Sequence, residues 1–325
     1  MRQIDTLFKA YDGDVPGAAL MVIHRSKPVI VRSYGLAEVE RKIPITSQTN
    51  FRLASLTKQF TAMAIMLLVE RGKLTYETTL PAIFTDFPNY GKQITIRHLL
   101  QHTSGLIDYE DLIPPTATTQ VLDKDVLIMM KSQDSTYFPP GTQFRYSNSG
   151  YAILAMIVER LSGKRFAQFL RDEIFQPLGM VNTVAFEQGI SVVPNRAFGY
   201  HIQGDSVFFS DQSVTSAVLG DGGIYSSVDD LYKWDQALYT EKLVHRATLD
   251  AAFQPGLEHY GFGWYCDTFK GKRRVYHTGS TCGFRNVIMR LPDEQLTIII
   301  LTNRREPDVQ PLAEQVLELI TEQQK

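Results

Sequence analysis

Residues 51–70 read FRLASLTKQFTAMAIMLLVE, and this stretch limits the fold more than any other. Its apolar residues surround a helix on every side, so the helix has to lie inside a protein core rather than on a surface. Ser55 stands at its mouth and Lys58 follows three positions later. Residues three apart on a helix share a face, so the Lys58 amine can reach the Ser55 hydroxyl. An ammonium on so apolar a helix is costly to hold, and desolvation favours its neutral form. A free serine hydroxyl is a weak nucleophile that a nearby base activates. The pair therefore reads as a candidate nucleophile and its base. Ser55 as a simple helix cap with Lys58 reaching for solvent remains the plainer alternative.

The rest of the chain says what could enclose such a helix. Its 325 residues suffice for one large domain or two intimately packed ones. Residues 17–24 and 29–37 read as a hairpin, and 260–268, 273–279, 284–291 and 295–302 as strands. Between them lie helical patterns at Gly150 to Leu161, at Arg165 to Phe175 and from Val228 onward. The chain opens with a short amphipathic helix within its first 17 residues and closes with one over Val309 to Glu322. Strands at both ends and helices between them predict an α+β (mixed α/β) fold. Its antiparallel sheet is built from both termini and flanked by helices, with a mostly helical insertion. Residues 1–72 and 231–325 form the sheet-containing lobe, and 73–230 the inserted one. Ligands favour the cleft between such lobes.

Composition removes several function classes. Lys plus Arg total 33 against 35 for Asp plus Glu, a formal charge of −2, so nothing marks a nucleic-acid or anionic-membrane partner. The longest apolar run, Ala62 to Val69, is far too short to span a bilayer. The N-terminus lacks an apolar signal core; the protein is expected in the cytoplasm, or outside it if a leader has been removed. Oligomeric state stays open. With only Cys266 and Cys282, a hairpin turning at Lys270 to Lys272 sets Cys266 opposite a residue near Val275, which predicts two free thiols.

Two further motifs each occur once: Tyr146-Ser147-Asn148 before a helix, and His277-Thr278-Gly279 at the end of a strand. Taken singly, the tyrosine packs and the histidine meets solvent. Other patterns carry less. His98 and His102 have the spacing of a zinc helix, but Leu99 stands where a glutamate is needed and no third ligand is evident, so no metal and no cofactor are expected. Gly279-Ser280-Thr281-Cys282-Gly283 has threonine where a nucleophile elbow needs serine. Gly220-Asp221-Gly222-Gly223 reads as a tight turn near the cleft, with Asp221 as a possible lining residue.

The three motifs in this order resemble the serine β-lactamase and penicillin-binding protein superfamily, in its class C β-lactamase, DD-peptidase and esterase branch. HLLQHTSGL, FPPGTQFRYSNSGY, FQPLGM and GDGGIYSSVDDLYKW extend the likeness from about residue 15 to 305. The resemblance implies Ser55 as the acylated nucleophile, Lys58 as its proton partner and Tyr146 as second base. Asn148 would bind the substrate's side-chain amide, and His277, Thr278 and Gly279 the strand edge beside it. The backbone N–H groups of Ser55 and Ser280 would form the oxyanion hole. A cation at about 4 Å shifts a phenol by roughly 3 pKa units, so a charged Lys58 would bring a Tyr146 phenolate within reach of neutral pH; since Lys58 cannot both stay charged for Tyr146 and be neutral to deprotonate Ser55, the two share one proton. His277, mostly neutral, attracts an anionic substrate less than the lysine of class C enzymes. The expectation is a serine hydrolase acting on an ester, a D-amino-acid peptide or a β-lactam-type carbonyl, weak as a β-lactamase. A penicillin-binding sensor that acylates without turnover, or an acyltransferase, stays open. The expected partner is a small molecule or peptide.

Overall fold

A computed structural model describes residues 2–322; Met1 and residues 323–325 lie outside the described residues, as do those parts of the terminal readings. A six-stranded antiparallel sheet is formed by β1 (Ala18–His24), β2 (Lys27–Tyr34), β3 (Tyr265–Phe269), β4 (Lys272–Thr281), β5 (Phe284–Leu291) and β6 (Leu296–Thr302). Its order is β3-β4-β5-β6-β1-β2, so the first strands of the chain dock against the last. That is the expected antiparallel sheet built from both termini. Cys266 lies opposite Val275 in the β3–β4 pair, and both cysteines are free thiols.

Alternation along the strands divides the core in two. On one face Ala18, Leu20, Val22, Val287, Met289, Ile298 and Ile300 pack with the terminal helices Arg2–Leu7 and Gln310–Glu322. On the other, Ala19, Met21, Ile23, Ile288, Ile299 and Leu301 face the central helix Lys58–Glu70. That helix is buried from Lys58 to Leu68, as its all-round apolar sequence requires. Phe60 wedges against Trp234 and Phe175, at ring separations of 4.3 and 5.6 Å, and burial of such a side chain stabilises the fold by about 1.5–3 kcal/mol.

The structure departs from the sequence reading in its small elements. Residues 260–264 are an isolated bridge at Tyr260 followed by bends rather than strand, because β3 starts only at Tyr265. Phe51–Arg52, Ile224–Ser226 and Val184–Ala185 form a three-stranded sheet, and Tyr200–Gln203 pairs with Ser206–Phe209; segments this short carry too little periodicity to be read. Among the described residues no helix is long and apolar enough to cross a membrane.

Candidate active site

Ser55 sits in a 3-10 turn, Ala54–Thr57, that leads into the central helix, so Lys58 is the first residue of the α-helix proper. Ala54 is left-handed, at φ 52°, a costly conformation for a residue with a side chain. The strand β4 holds this turn in place. A Cβ on Gly279 would lie 2.1 Å from the Leu53 carbonyl oxygen, so only glycine lets strand and turn approach so closely. Asn286 on β5 adds a hydrogen bond from Nδ2 to the Arg52 carbonyl, at 2.8 Å.

The Lys58 amine is wholly buried and donates to three acceptors: Ser55 Oγ at 3.1 Å, Asn148 Oδ1 at 2.9 Å and the Asp221 carbonyl at 2.9 Å. Two of these, the amide oxygen and the backbone carbonyl, can only accept. A neutral amine would give them its two N–H groups and keep its lone pair for the Ser55 hydroxyl. Among the described residues no carboxylate lies within ion-pair distance of it. Burial pushes the Lys58 pKa below its ordinary value, and the carboxylates of Asp221, Glu110 and Asp108 only partly oppose it. Asp221 is pushed the other way, upward, chiefly by burial, while it accepts a hydrogen bond from the Tyr109 hydroxyl at 2.9 Å.

Tyr146 stands beside this pair, its ring centroid 4.8 Å from Lys58 Nζ. Its hydroxyl is enclosed and makes no well-formed hydrogen bond, although the Ser55 hydroxyl favours its ionised form. The expected phenolate is not supported: desolvation raises the Tyr146 pKa well above 10 and outweighs what its neighbours return. At rest Tyr146 is a phenol.

His277 is buried, because Tyr260 covers it. Its Nδ1 lies 2.6 Å from the Thr278 carbonyl, which can only accept, so Nδ1 carries the hydrogen and Nε2 accepts from the Tyr260 hydroxyl at 2.9 Å. Burial, reinforced by Lys58, pushes its pKa down to about 3, so no cation stands at this position. Past His277 the strand has a free edge: Tyr265, the first residue of β3, pairs with Tyr276, which leaves the following residues without a partner strand on that side. Ser280 and Thr281 on that edge line a small cavity of about 50 Å³ together with Ala54, Ser55, Tyr109, Glu110, Asn148, Asp221 and Arg52. A far larger cleft of about 1100 Å³, lined by Leu122, Met156, Phe186 and Val214, lies elsewhere, with no counterpart of the serine–amine pair.

Of the expected site residues, Ser55, Asn148 and Ser280 line this cavity, Lys58 and Tyr146 border Ser55, and His277, Thr278 and Gly279 lie on the adjoining strand. Sequence reasoning missed four neighbours. The His102 ring lies tilted against that of Tyr146, with centroids 4.2 Å apart, and accepts the Ser147 N–H on Nδ1, so it fixes the tyrosine from below. It follows the end of the short helix Ile96–Leu100, in a left-handed conformation, and so shares no helix face with His98; His98 instead caps that helix with Thr95. Tyr260, Glu110 and Tyr109 were also unseen. Among the described residues no group of His, Cys, Asp and Glu could hold a metal ion.

Comparison with known proteins agrees with the fold. The family model described as beta-lactamase matches residues 4–321. Penicillin-binding protein 4* of Bacillus subtilis is 34% identical over 295 residues, covering 84% of this chain but 65% of that protein, so the chain spans about two thirds of the relative's length. The structure of a penicillin-binding protein from Bacillus halodurans superposes with a TM-score of 0.82 at 28% identity over 98% of both chains. D-amino acid amidase from Ochrobactrum anthropi SV3 has the same fold, with a TM-score of 0.85 at 23% identity over 100% of this chain and 99% of that one.

Proposed function

Because the chain belongs to the beta-lactamase family, we propose that it is a serine hydrolase working through an acyl-enzyme on Ser55. The observation that carries this reading is the Lys58 amine: buried, without a carboxylate partner, and bonded to two obligate acceptors and one hydroxyl. In the proposed cycle Ser55 Oγ attacks the substrate carbonyl and its proton passes to Lys58. The tetrahedral oxyanion meets the backbone N–H groups of Ser55 and Ser280. When the intermediate collapses, the leaving group takes the proton and the acyl group remains as an ester on Ser55. Water then attacks the ester; its proton returns to Ser55 and the acid is released. Tyr146 takes part as a phenol that relays a proton, since burial opposes a stored phenolate. Asn148 and the free edge of β4 orient the substrate.

The substrate class is an ester or a D-amino-acid-containing peptide or amide, in keeping with the amidase that shares this fold. Weak turnover of β-lactams is expected, because His277 offers a substrate carboxylate no charge. A second reading gains from the unpartnered Tyr146 hydroxyl: if no proton relay forms, deacylation is the slow half and the acyl-enzyme of a penicillin persists. Intact-protein mass spectrometry during exposure to p-nitrophenyl acetate and to benzylpenicillin tests both. A transient adduct on the Ser55 peptide supports the hydrolase, a lasting one the sensor. An adduct elsewhere, or the same adduct in Ser55→Ala, overturns both.

A further inference from the structure

We infer that Asp123 is a positioning residue for acylation: it holds the turn whose Asp221 carbonyl accepts a hydrogen bond from the Lys58 amine. The inference rests on Ser55 being the residue acylated. Asp123 begins the helix Asp123–Lys131, whose residues do not line the Ser55 cavity, and its buried side chain lines the large cleft instead. Between cleft and cavity lies the single helical turn Leu219–Gly222. Leu219 lines the cleft, while Asp221 and Gly222 line the cavity. The first N–H groups of a helical turn have no partner within it. Here the Leu219 N–H donates to Asp123 Oδ2 at 2.8 Å and the Gly220 N–H to Oδ1 at 2.9 Å, so both oxygens of one carboxylate grip the turn.

The carbonyls of the same turn serve the central helix. Gly220 accepts from the Thr61 hydroxyl at 2.7 Å, and Asp221 accepts from Lys58 at 2.9 Å. Gly220 is also pressed against the helix Asn148–Ser162, where an added Cβ would lie 2.3 Å from the Tyr151 carbonyl oxygen. Asp123 and Thr61 thus hold the turn through its N–H and C=O groups, and its place sets where the Asp221 carbonyl meets the amine. That place matters for the chemistry. A neutral Lys58 directs its lone pair at Ser55 while both its N–H groups have acceptors, Asn148 Oδ1 and this carbonyl. Withdrawal of one acceptor lets the amine turn away from the hydroxyl. Support for the fold alone accounts less well for the residue. Among the described residues no cation pairs with the Asp123 carboxylate, and burial pushes its pKa up to about 7 although the two N–H groups favour its ionised form. A neutral amide in its place has one acceptor oxygen for two donors.

The test follows acylation of Ser55 by p-nitrophenyl acetate, as a limiting rate per folded molecule and a half-saturating concentration, with urea unfolding in parallel. Asp123→Asn keeps one acceptor for the two N–H groups, and Asp123→Ala keeps none. The limiting rate is expected to fall about threefold in the first and about tenfold in the second, the scale of one and two weakened hydrogen bonds. Half-saturation should stay the same, because Asp123 lies outside the cavity. Thr61→Val loosens the turn from its other side and should lower the limiting rate as well. The deciding comparison is made in Lys58→Met: with no amine to place, the Asp123 substitutions should leave the residual rate unaltered. The same fractional loss with and without Lys58, a change confined to half-saturation, or a wild-type rate in Asp123→Asn or Thr61→Val would each overturn the inference while leaving the hydrolase reading intact. If Asp123→Ala does not fold, Asp123→Asn in the two backgrounds decides by the same criteria. If p-nitrophenyl acetate never modifies Ser55 in the wild type, both fall.

Discussion

Among the described residues two basic side chains, Lys58 and Arg290, are fully buried, and they are held in opposite ways. Arg290, on β5, donates from Nε to Asp235 Oδ1 at 2.6 Å, and the same carboxylate oxygen accepts from Thr297 at 2.8 Å. The Tyr239 ring stacks on its guanidinium at 4.7 Å. Lys58 has no counter-ion in reach, only a hydroxyl, an amide oxygen and a backbone carbonyl. A buried charge with its counter-ion and spare hydrogen bonds is fixed as a charge. A buried amine with neutral acceptors is poised to lose its proton. The first arrangement holds β5 and β6 to the helix Val228–Ala237; the second ties the start of the central helix to Asn148 and Asp221 without a counter-ion.

Substitution by methionine at each position should separate the two most widely. Lys58→Met is expected to slow acylation of Ser55 by about 10²–10⁴-fold, with a smaller loss of stability than at Arg290, because a desolvated amine is removed while Asn148 Oδ1 and the Asp221 carbonyl lose its hydrogen bonds. Arg290→Met leaves Asp235 buried and alone, at a cost of about 3–5 kcal/mol, with the acylation rate per folded molecule unchanged. Urea unfolding alongside acylation monitored by mass spectrometry gives both readouts. A loss of stability in Lys58→Met as large as that in Arg290→Met would erase the contrast.

A smaller effect follows from the histidines behind Tyr146. His277 is pushed down to about 3 by burial, and His102 is also held well below 6.5 by burial. In the unfolded chain both titrate near 6.5. The unfolded state therefore takes up protons that the folded state refuses as pH falls from 6.5 toward 3. Their contribution to stability is complete above 6.5 and is lost below it, by about 1.4 kcal/mol per pH unit for each. His277→Asn should flatten the pH dependence of urea unfolding by one such increment. An unaltered slope would mean that His277 is charged in the fold and belongs with Arg290, not with Lys58.

How much of this was legible in the sequence follows from range. Ser55 and Lys58 are three residues apart, so helical geometry alone brings them together, and the all-round apolar pattern announced a buried helix. The antiparallel sheet could be read because Leu296 to Thr302 and its partners are long and β-branched. Tyr146, Asn148 and the His277 strand were reached through resemblance, since no local rule joins segments so far apart. What escaped depends on packing across the fold. Tyr260 covers His277 from an isolated bridge in a segment that read as strand, and His102 lies under Tyr146 from the end of another helix. The phenolate expectation failed for the same reason. It counted the charge of Lys58 and omitted the desolvation of Tyr146, the larger effect here.

The finest probe of the contrast is Asp221, whose carbonyl binds Lys58 while its carboxylate, held by Tyr109, acts on the amine only through space. Burial lowers the Lys58 pKa, and the Asp221 carboxylate is the largest influence raising it again. Acylation should therefore rise with pH to a midpoint well below the ordinary lysine value, as the amine becomes able to accept the Ser55 proton. Asp221→Asn keeps the backbone carbonyl and an oxygen for the Tyr109 hydroxyl, but removes the charge. The midpoint should move further down, by about one unit. Asp221 is itself pushed up by burial, so the difference between wild type and variant should open only where that carboxylate is ionised and close toward lower pH. A rate–pH profile of Ser55 acylation reads this directly. If the midpoint moves up, or the profile is flat in both proteins, Lys58 keeps its proton throughout and the two buried cations differ in partner but not in chemistry.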